Sequence, residues 1–214
     1  MPLDPESTRR RIYDAAVAEV AAHGSAGARV DRIAKNANAN KESIYRYYGT
    51  KDQLLRRVLE QSLAEKNLRN DPRATAIDDY VAELFCSYIE DPDVIRLLMW
   101  EALERGDAPD SDLIEERRRH SEAKLESIVA QQRAGVIDPE LDPRHLLTVL
   151  LGMANYWRVL PQMVHAIFGE EPDAERLARH AEFLRECVRR IVTPPPAGNC
   201  ADPAATQPDD VPAS

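Results

Sequence analysis

Apolar residues recur along this chain at helical spacing. Ile12, Ala15, Ala16 and Val20 share one face of a helix over about 7–23, and Gly24 is placed to end it in the left-handed conformation. Val30, Ile33, Ala34 and Ala37 then fit the i, i+3, i+4, i+7 pattern. Asn38-Ala39-Asn40 breaks the pattern, because Asn tolerates left-handed backbone and an Asn can also cap the next helix through its side-chain oxygen. A short third helix follows over 41–47, and Gly49 closes it. Thr50 and Gln53, three apart, read as a capping box that opens a fourth helix to about residue 70.

Beyond that point the same periodicity continues. Ile77, Tyr80, Val81, Leu84, Phe85 and Tyr88 share a face, followed after Asp91-Pro92 by Val94, Leu97, Leu98 and residues 100–103, with Gly106 as the stop. A long charged helix spans about 112–134, and Asp142-Pro143 marks a new N-cap with Pro at the first helical position. The next helix is the most apolar, and Pro161 should kink or split it. The last, about 173–192, carries Leu177, Ala181, Leu184, Val188 and Ile191 at steps of 4, 3, 4 and 3, a packing seam. No alternating run reaches strand length, so the expected fold is all-α with about nine helices. From Thr193 the chain has six prolines and neither aromatic nor basic residues, a composition that predicts a disordered tail.

Charge adds one asymmetry. The 214 residues carry a net charge of -9, but residues 1–57 hold 11 Lys/Arg against 7 Asp/Glu while the remainder holds 17 against 30. A basic head therefore precedes an acidic body. Cys86, Cys187 and Cys200 are widely spaced without a CxxC pair, and the N-terminus lacks an apolar leader, which together suggest a reducing cytoplasm. The apolar run 146–154 is too short to cross a bilayer, so no membrane partner is expected. His23, His120, His145, His165 and His180 are scattered without a tight ligand spacing, and no glycine-rich phosphate loop occurs. Neither an enzyme nor a metal or cofactor site is expected.

Two short helices joined by a three-residue turn have the layout of a helix-turn-helix. The second, KESIYRYY, turns Ile44 inward and leaves Lys41, Ser43, Tyr45, Arg46 and Tyr47 for phosphates and base edges. The stretch IAKNANANKESIYRYYGTKDQLL resembles the pattern IAxxAGVSxxTLYxYFxxKxxLL of the tetracycline-repressor (TetR) family of bacterial transcription regulators, matching at Ile33, Ala34, Ala37, Tyr45, Tyr47 and Lys51. The resemblance covers roughly residues 8–59 without a gap and is one of helical layout alone thereafter.

It implies that Tyr45 and Tyr47 meet DNA and that Lys51 pairs with a phosphate, with Lys41, Ser43 and Arg46 at variable contact positions. Asn38, Ala39 and Asn40 stand where Gly, Val and Ser are usual, and Ala28 and Arg29 replace hydroxyl residues, so Arg29 is assigned their phosphate contact. Glu42 reads either as favouring the dipole of its helix, the preferred role, or as accepting a hydrogen bond from cytosine N4. Tyr48 is expected in the core, and Arg9, Arg10 and Arg11 read equally as a phosphate contact or a solvated face.

The resemblance also implies a homodimer reading a palindromic operator in double-stranded DNA, and a small-molecule effector of unknown identity, hence a ligand-responsive repressor. Its dimer seam would use Leu146, Leu150, Leu177, Ala181, Leu184, Val188 and Ile191; packing of the same helices within one chain is the competing reading. Phe85, Tyr88, Met99, Trp100, Met153, Asn155, Tyr156 and Trp157 are candidates for the effector lining, against a plain aromatic core. The domains follow as a three-helix helix-turn-helix DNA-binding domain (7–52), a helical effector-binding and dimerisation domain (53–192), and the tail (193–214). The rival function is a helical protein adaptor that does not bind DNA.

Overall fold

The computed structural model describes residues 4–69, 73, 75–106, 111–169 and 172–194, and among these all regular structure is α-helical. Ten helices follow one another: α1 (Pro5–Gly27), α2 (Val30–Asn36), α3 (Lys41–Tyr48), α4 (Lys51–Arg69), α5 (Ile77–Glu90), α6 (Asp93–Arg105), α7 (Ser111–Arg133), α8 (Pro143–Val159), α9 (Pro161–Phe168) and α10 (Ala174–Val192). The tail expected to be disordered lies outside the described residues from 195 onward.

Local signals account for most helix ends. The Asp4 side chain accepts from the Glu6 N–H and starts α1 two residues before Ser7. Asn38 takes a positive φ of 48°, and the Asn40 side chain caps α3 by accepting from the Ser43 N–H at 2.7 Å. The Thr50 N–H donates to Gln53 Oε1 at 2.8 Å while the Gln53 N–H donates to Thr50 Oγ1 at 3.2 Å, a reciprocal capping box. Asp142 caps α8 through the Arg144 and His145 N–H groups.

One end differs from expectation, and Pro161 chooses between two expected outcomes. Gly24 has a positive φ of 70° but an extended ψ of 173°, so it breaks α1 without taking the left-handed conformation, and the helix resumes to Gly27. A Cβ there would lie 2.8 Å from the Trp100 ring, so the break also admits α6 at close range. Of the kink or split expected at Pro161, the split occurs: Leu160 leaves helical geometry and Pro161 starts α9, which makes ten helices among the described residues where about nine were expected.

The buried side chains form three clusters. The first joins Ile12, Tyr13, Ala16 and Val20 of α1, Ile33 and Ala34 of α2, and Ile44 and Tyr48 of α3 to Leu54, Val58 and Leu59 of α4 and Leu97 of α6. A boundary after residue 52 therefore leaves four members of this cluster, Leu54, Val58, Leu59 and Leu97, on the far side. The second gathers Ile77, Tyr80, Val81 and Leu84 of α5, Ile128 of α7, Leu146, Leu147, Leu150 and Ala154 of α8, and Val188 and Val192 of α10. The third holds Ala82, Phe85, Trp157, Val164, Ala181 and Leu184. Helix α5 lies between α8 and α10 and is covered by both.

This packing corrects the seam. Leu146, Leu150, Ala181, Leu184 and Val188 are 5% exposed or less within one chain, and Leu177 packs half-buried against the third cluster. They face α5, not outward. Of the seven assigned residues only Ile191, 43% exposed, remains open to a partner. Leu184→Ala should accordingly cost about 2–5 kcal/mol of folding stability, the range for truncating a buried Leu. Chemical denaturation reads this directly, and an unchanged midpoint would mean that Leu184 is not a core residue.

Candidate functional site

Helix α3 displays the polar residues that the sequence singled out. Ile44 and Tyr48 turn inward, and the Tyr48 hydroxyl donates to the Arg9 carbonyl at 2.9 Å, which fixes α3 against α1. Tyr45 is half exposed, and Lys41, Arg46 and Arg29 are exposed, whereas Ser43, Tyr47 and Lys51 are half-buried. Arg46 lies over the Tyr47 ring with 4.9 Å to its centroid, so the two form one stacked unit. Lys41 pairs with Asp31 of α2, and both partners are exposed. Lys51 is the first residue of α4, at the positive end of that helix dipole and next to the Thr50–Gln53 capping box. The basic run at the start of α1 divides: Arg10 pairs with Asp14 at 2.8 Å and Glu65 at 2.9 Å, while Arg11 Nε donates to the Ala37 carbonyl at 3.0 Å. Arg11 thus holds α1 to the turn.

A buried carboxylate positions α2. Glu19, 4% exposed, accepts at 2.8 Å from both the Arg29 N–H and Arg32 Nε, and Arg32 Nη2 donates to the Gly27 carbonyl at 2.8 Å. Glu19 thereby satisfies a free N–H at the start of α2, where Arg29 offers no side-chain cap. Burial pushes the Glu19 carboxyl up, but the hydrogen bonds from Arg32 and the Arg29 N–H outweigh it and hold it below its ordinary value.

In the body, one cavity of about 240 Å³ is walled by four helices and the start of a fifth. Helix α4 contributes Glu60, Leu63 and Lys66; α5 contributes Tyr80, Leu84 and Tyr88; α6 contributes Val94, Ile95 and Leu98. Arg117, His120, Ser121 and Lys124 come from α7, and Leu151 and Asn155 from α8. Lys66 is 4% exposed, donates to the Ser87 carbonyl at 2.6 Å, and lies 5.1 Å from the Tyr88 ring centroid. Arg117 Nη2 is paired with Glu101 Oε2 at 2.6 Å. Burial pushes the Lys124 ammonium below its ordinary pKa and the Tyr88 hydroxyl up to about 12.

Of the eight residues proposed to line an effector site, Tyr88 and Asn155 do line this cavity. The others sit elsewhere. Phe85 and Trp157 pack edge to face at 5.8 Å with His180 against both rings, inside the third cluster, and Trp157 also borders a second concavity beside α9. Trp100 donates to the Ala21 carbonyl at 3.2 Å and serves the contact between α6 and α1. Met153 fills space between the second and third clusters, Met99 is half-buried on α6, and Tyr156 is 44% exposed on the outer side of α8. The α7 residues were missed although Arg117, His120, Ser121 and Lys124 follow i, i+3, i+4, i+7, since a polar stripe reads as a solvated face.

Comparison with known proteins resolves the class. The family model described as bacterial regulatory proteins, tetR family, matches residues 12–58, and the tetracyclin repressor-like C-terminal domain matches residues 76–190. The chain belongs to the TetR family. Like other TetR-family proteins it is a DNA-binding transcriptional regulator, which decides against the protein adaptor. It is 40% identical over 189 residues to the HTH-type transcriptional repressor SCO4008 of Streptomyces coelicolor, spanning 88% of this chain and 97% of that one. The crystal structure of the transcriptional regulator SCO4942, also from Streptomyces coelicolor, superposes with a TM-score of 0.73 at 32% identity over 88% of this chain and 99% of that one. The regulator FadR from Bacillus subtilis, solved in complex with stearoyl-CoA, shares the fold at a TM-score of 0.60 and 18% identity, over 86% and 99% of the two chains. Among the described residues no His/Cys/Asp/Glu cluster could hold a metal, and no helix is long and apolar enough to cross a membrane.

Glu19 gives a test of how the head is held. Because its folded pKa is depressed, its contribution is present above the unfolded carboxyl value of about 4.3 and is lost as pH falls through the lower folded value. Glu19→Gln should lower stability at neutral pH by about 1–3 kcal/mol and flatten the acid limb of the stability curve. Thermal melts of both proteins between neutral and acid pH check this; parallel curves would remove Glu19 from the account.

Proposed function

We propose that this TetR-family regulator is a ligand-responsive repressor that acts as a homodimer on a palindromic operator. One observation carries the reading: α4 belongs to both halves. Its first half places Leu54, Val58 and Leu59 in the core of the DNA-reading head, and its second half places Glu60, Leu63 and Lys66 in the cavity wall. A ligand that fits the cavity differently in two poses of α4 therefore favours one pose of the head. The name of the 40% identical relative, a transcriptional repressor, supports the regulatory sign, and the stearoyl-CoA complex of FadR supports an organic effector in such a body.

In the head, Tyr45, Tyr47 with its stacked Arg46, and Ser43 are assigned to the operator. Lys41 exchanges its exposed Asp31 partner for phosphate at small cost, since an exposed pair is weak. Lys51 and the exposed Arg29 are assigned to the DNA backbone. In the body, the dimer seam moves to the outer apolar residues of the last long helices, Val149 and Tyr156 of α8 and Phe183 and Ile191 of α10. Val149 and Tyr156 are seven apart and Phe183 and Ile191 eight apart, so each pair lies along one side of its helix. Exposed aromatic and aliphatic stripes of this kind suit an isologous two-fold contact.

Selection of DNA fragments by the purified protein supplies the operator. On that site Lys51→Ala should weaken binding by about 1–3 kcal/mol and reduce the salt slope by about 1 without loss of helicity, the behaviour of a phosphate contact. Unchanged affinity would remove Lys51 from the interface. Phe183→Arg, at a position 63% exposed, should convert dimer to monomer in sedimentation equilibrium while the monomer stays folded. A variant that remains dimeric places the seam elsewhere.

A further inference from the structure

The cavity has a chemical character that selects among ligands. Its apolar wall is Leu63, Leu84, Val94, Ile95, Leu98 and Leu151, and its polar side is the α7 stripe. The cations on that lining are not equivalent. Arg117 is neutralised by Glu101, and Lys66 is bound to the Ser87 carbonyl with Asp91 Oδ2 at 4.0 Å. Lys124 stands apart, with no hydrogen bond or ion pair among the described residues. Glu60, the one carboxylate on the lining among the described residues, belongs to α4 and is already engaged in an interaction of its own.

Lys124 is half-buried on that wall, and an ammonium partly withdrawn from water without a partner is costly; an anion entering the cavity offsets that cost while a cation adds to it. Asn155, also on the lining, offers an amide N–H to the same group. We infer that the cavity takes a small organic carboxylate, its anionic end on Lys124 and Asn155 and its apolar body against the α5 and α6 leucines and valine. The cavity volume of about 240 Å³ lies below the range of about 300–1,000 Å³ for drug-sized ligands, which favours a short aliphatic or single-ring acid. The lowered Lys124 pKa agrees, since burial without a counter-charge is its cause. This assignment rests on the ligand-responsive reading and adds the ligand's charge to it.

The test is calorimetric titration of the full chain with three probes of like length: octanoate, 1-octanol and octyltrimethylammonium. Octanoate should bind saturably and at least tenfold more tightly than the alcohol, and the ammonium should not bind. Lys124→Met, which removes the charge but keeps the bulk, should fold with an unchanged or higher melting temperature, lose octanoate affinity at least tenfold, and keep its affinity for the alcohol. Lys124→Arg should retain most of the octanoate affinity. Octanoate affinity unchanged in Lys124→Met, or preference for the ammonium, overturns the carboxylate assignment. If the ammonium binds and also releases selected operator DNA, ligand response stands and its anionic chemistry falls. Absence of saturable binding by all three probes overturns the carboxylate site, and the operator assay with the same probes then shows separately whether DNA release occurs.

Discussion

The DNA-reading head cannot complete its core alone. Helices α1–α3 supply most of the first cluster, but Leu54, Val58 and Leu59 of α4 and Leu97 of α6 close it. The joint with α6 is made possible by the break in α1. An extended ψ at Gly24 interrupts the helical ladder there, and the Ala21 carbonyl accepts instead from Arg96 Nε at 2.9 Å and Trp100 Nε1 at 3.2 Å. Glu104 adds a bond from the Ala26 N–H at 3.2 Å. A side chain at position 24 would meet Trp100 and Glu104 and be strained by the positive φ as well, so one glycine permits both the break and the close approach.

The same two helices wall the cavity. Leu98 of α6, next to Leu97 in sequence, and Leu63 of α4, one turn beyond Leu59, line it and also pack against the head's cluster. Filling the cavity and orienting the head therefore draw on overlapping side chains, and close-packed interiors transmit such displacements instead of absorbing them. If the protein is ligand-responsive as proposed, a coupling of about 1–3 kcal/mol between the two sites suffices for a fivefold to 150-fold response, and by reciprocity operator DNA would weaken effector binding by the same factor.

How much of this was legible in the sequence follows the range of each signal. The Thr50–Gln53 box, the Asn40 cap and the Asp142-Pro143 start are set by residues within three positions of one another, so sequence alone places them. The inward turn of Ile44 and Tyr48 follows from helical period and a single partner surface. The seam of α10 did not follow, because steps of 4 and 3 fix which face is apolar but not whether α5 or a second chain covers it. That only Tyr88 and Asn155 of the eight expected effector residues border this cavity has a related reason. Aromatic residues such as Phe85 and Trp157 fill a core as readily as they line a site, while the side that borders the cavity carries Arg117, His120, Ser121 and Lys124, whose polarity imitates solvent exposure.

An anionic ligand in this cavity could in principle act on DNA by charge instead of by shape, and distance argues against it. Glu60, on the cavity wall, lies nine residues along α4 from Lys51, roughly 13 Å at about 1.5 Å per residue. The Debye length at physiological salt is about 8 Å, and a carboxylate paired with Lys124 carries little net charge to project. Repulsion between ligand and phosphate is screened over that path. The mechanical route through α4 is not, since the helix is continuous from Lys51 to Lys66 and is fixed at one end by the head's core and at the other by the Lys66 bond to the Ser87 carbonyl. On the proposed reading, release of DNA by such a ligand is a matter of how α4 sits against α5 and α6; a neutral ligand of the same shape that moved α4 equally would act as well as a charged one, and Lys124 would decide which ligand enters.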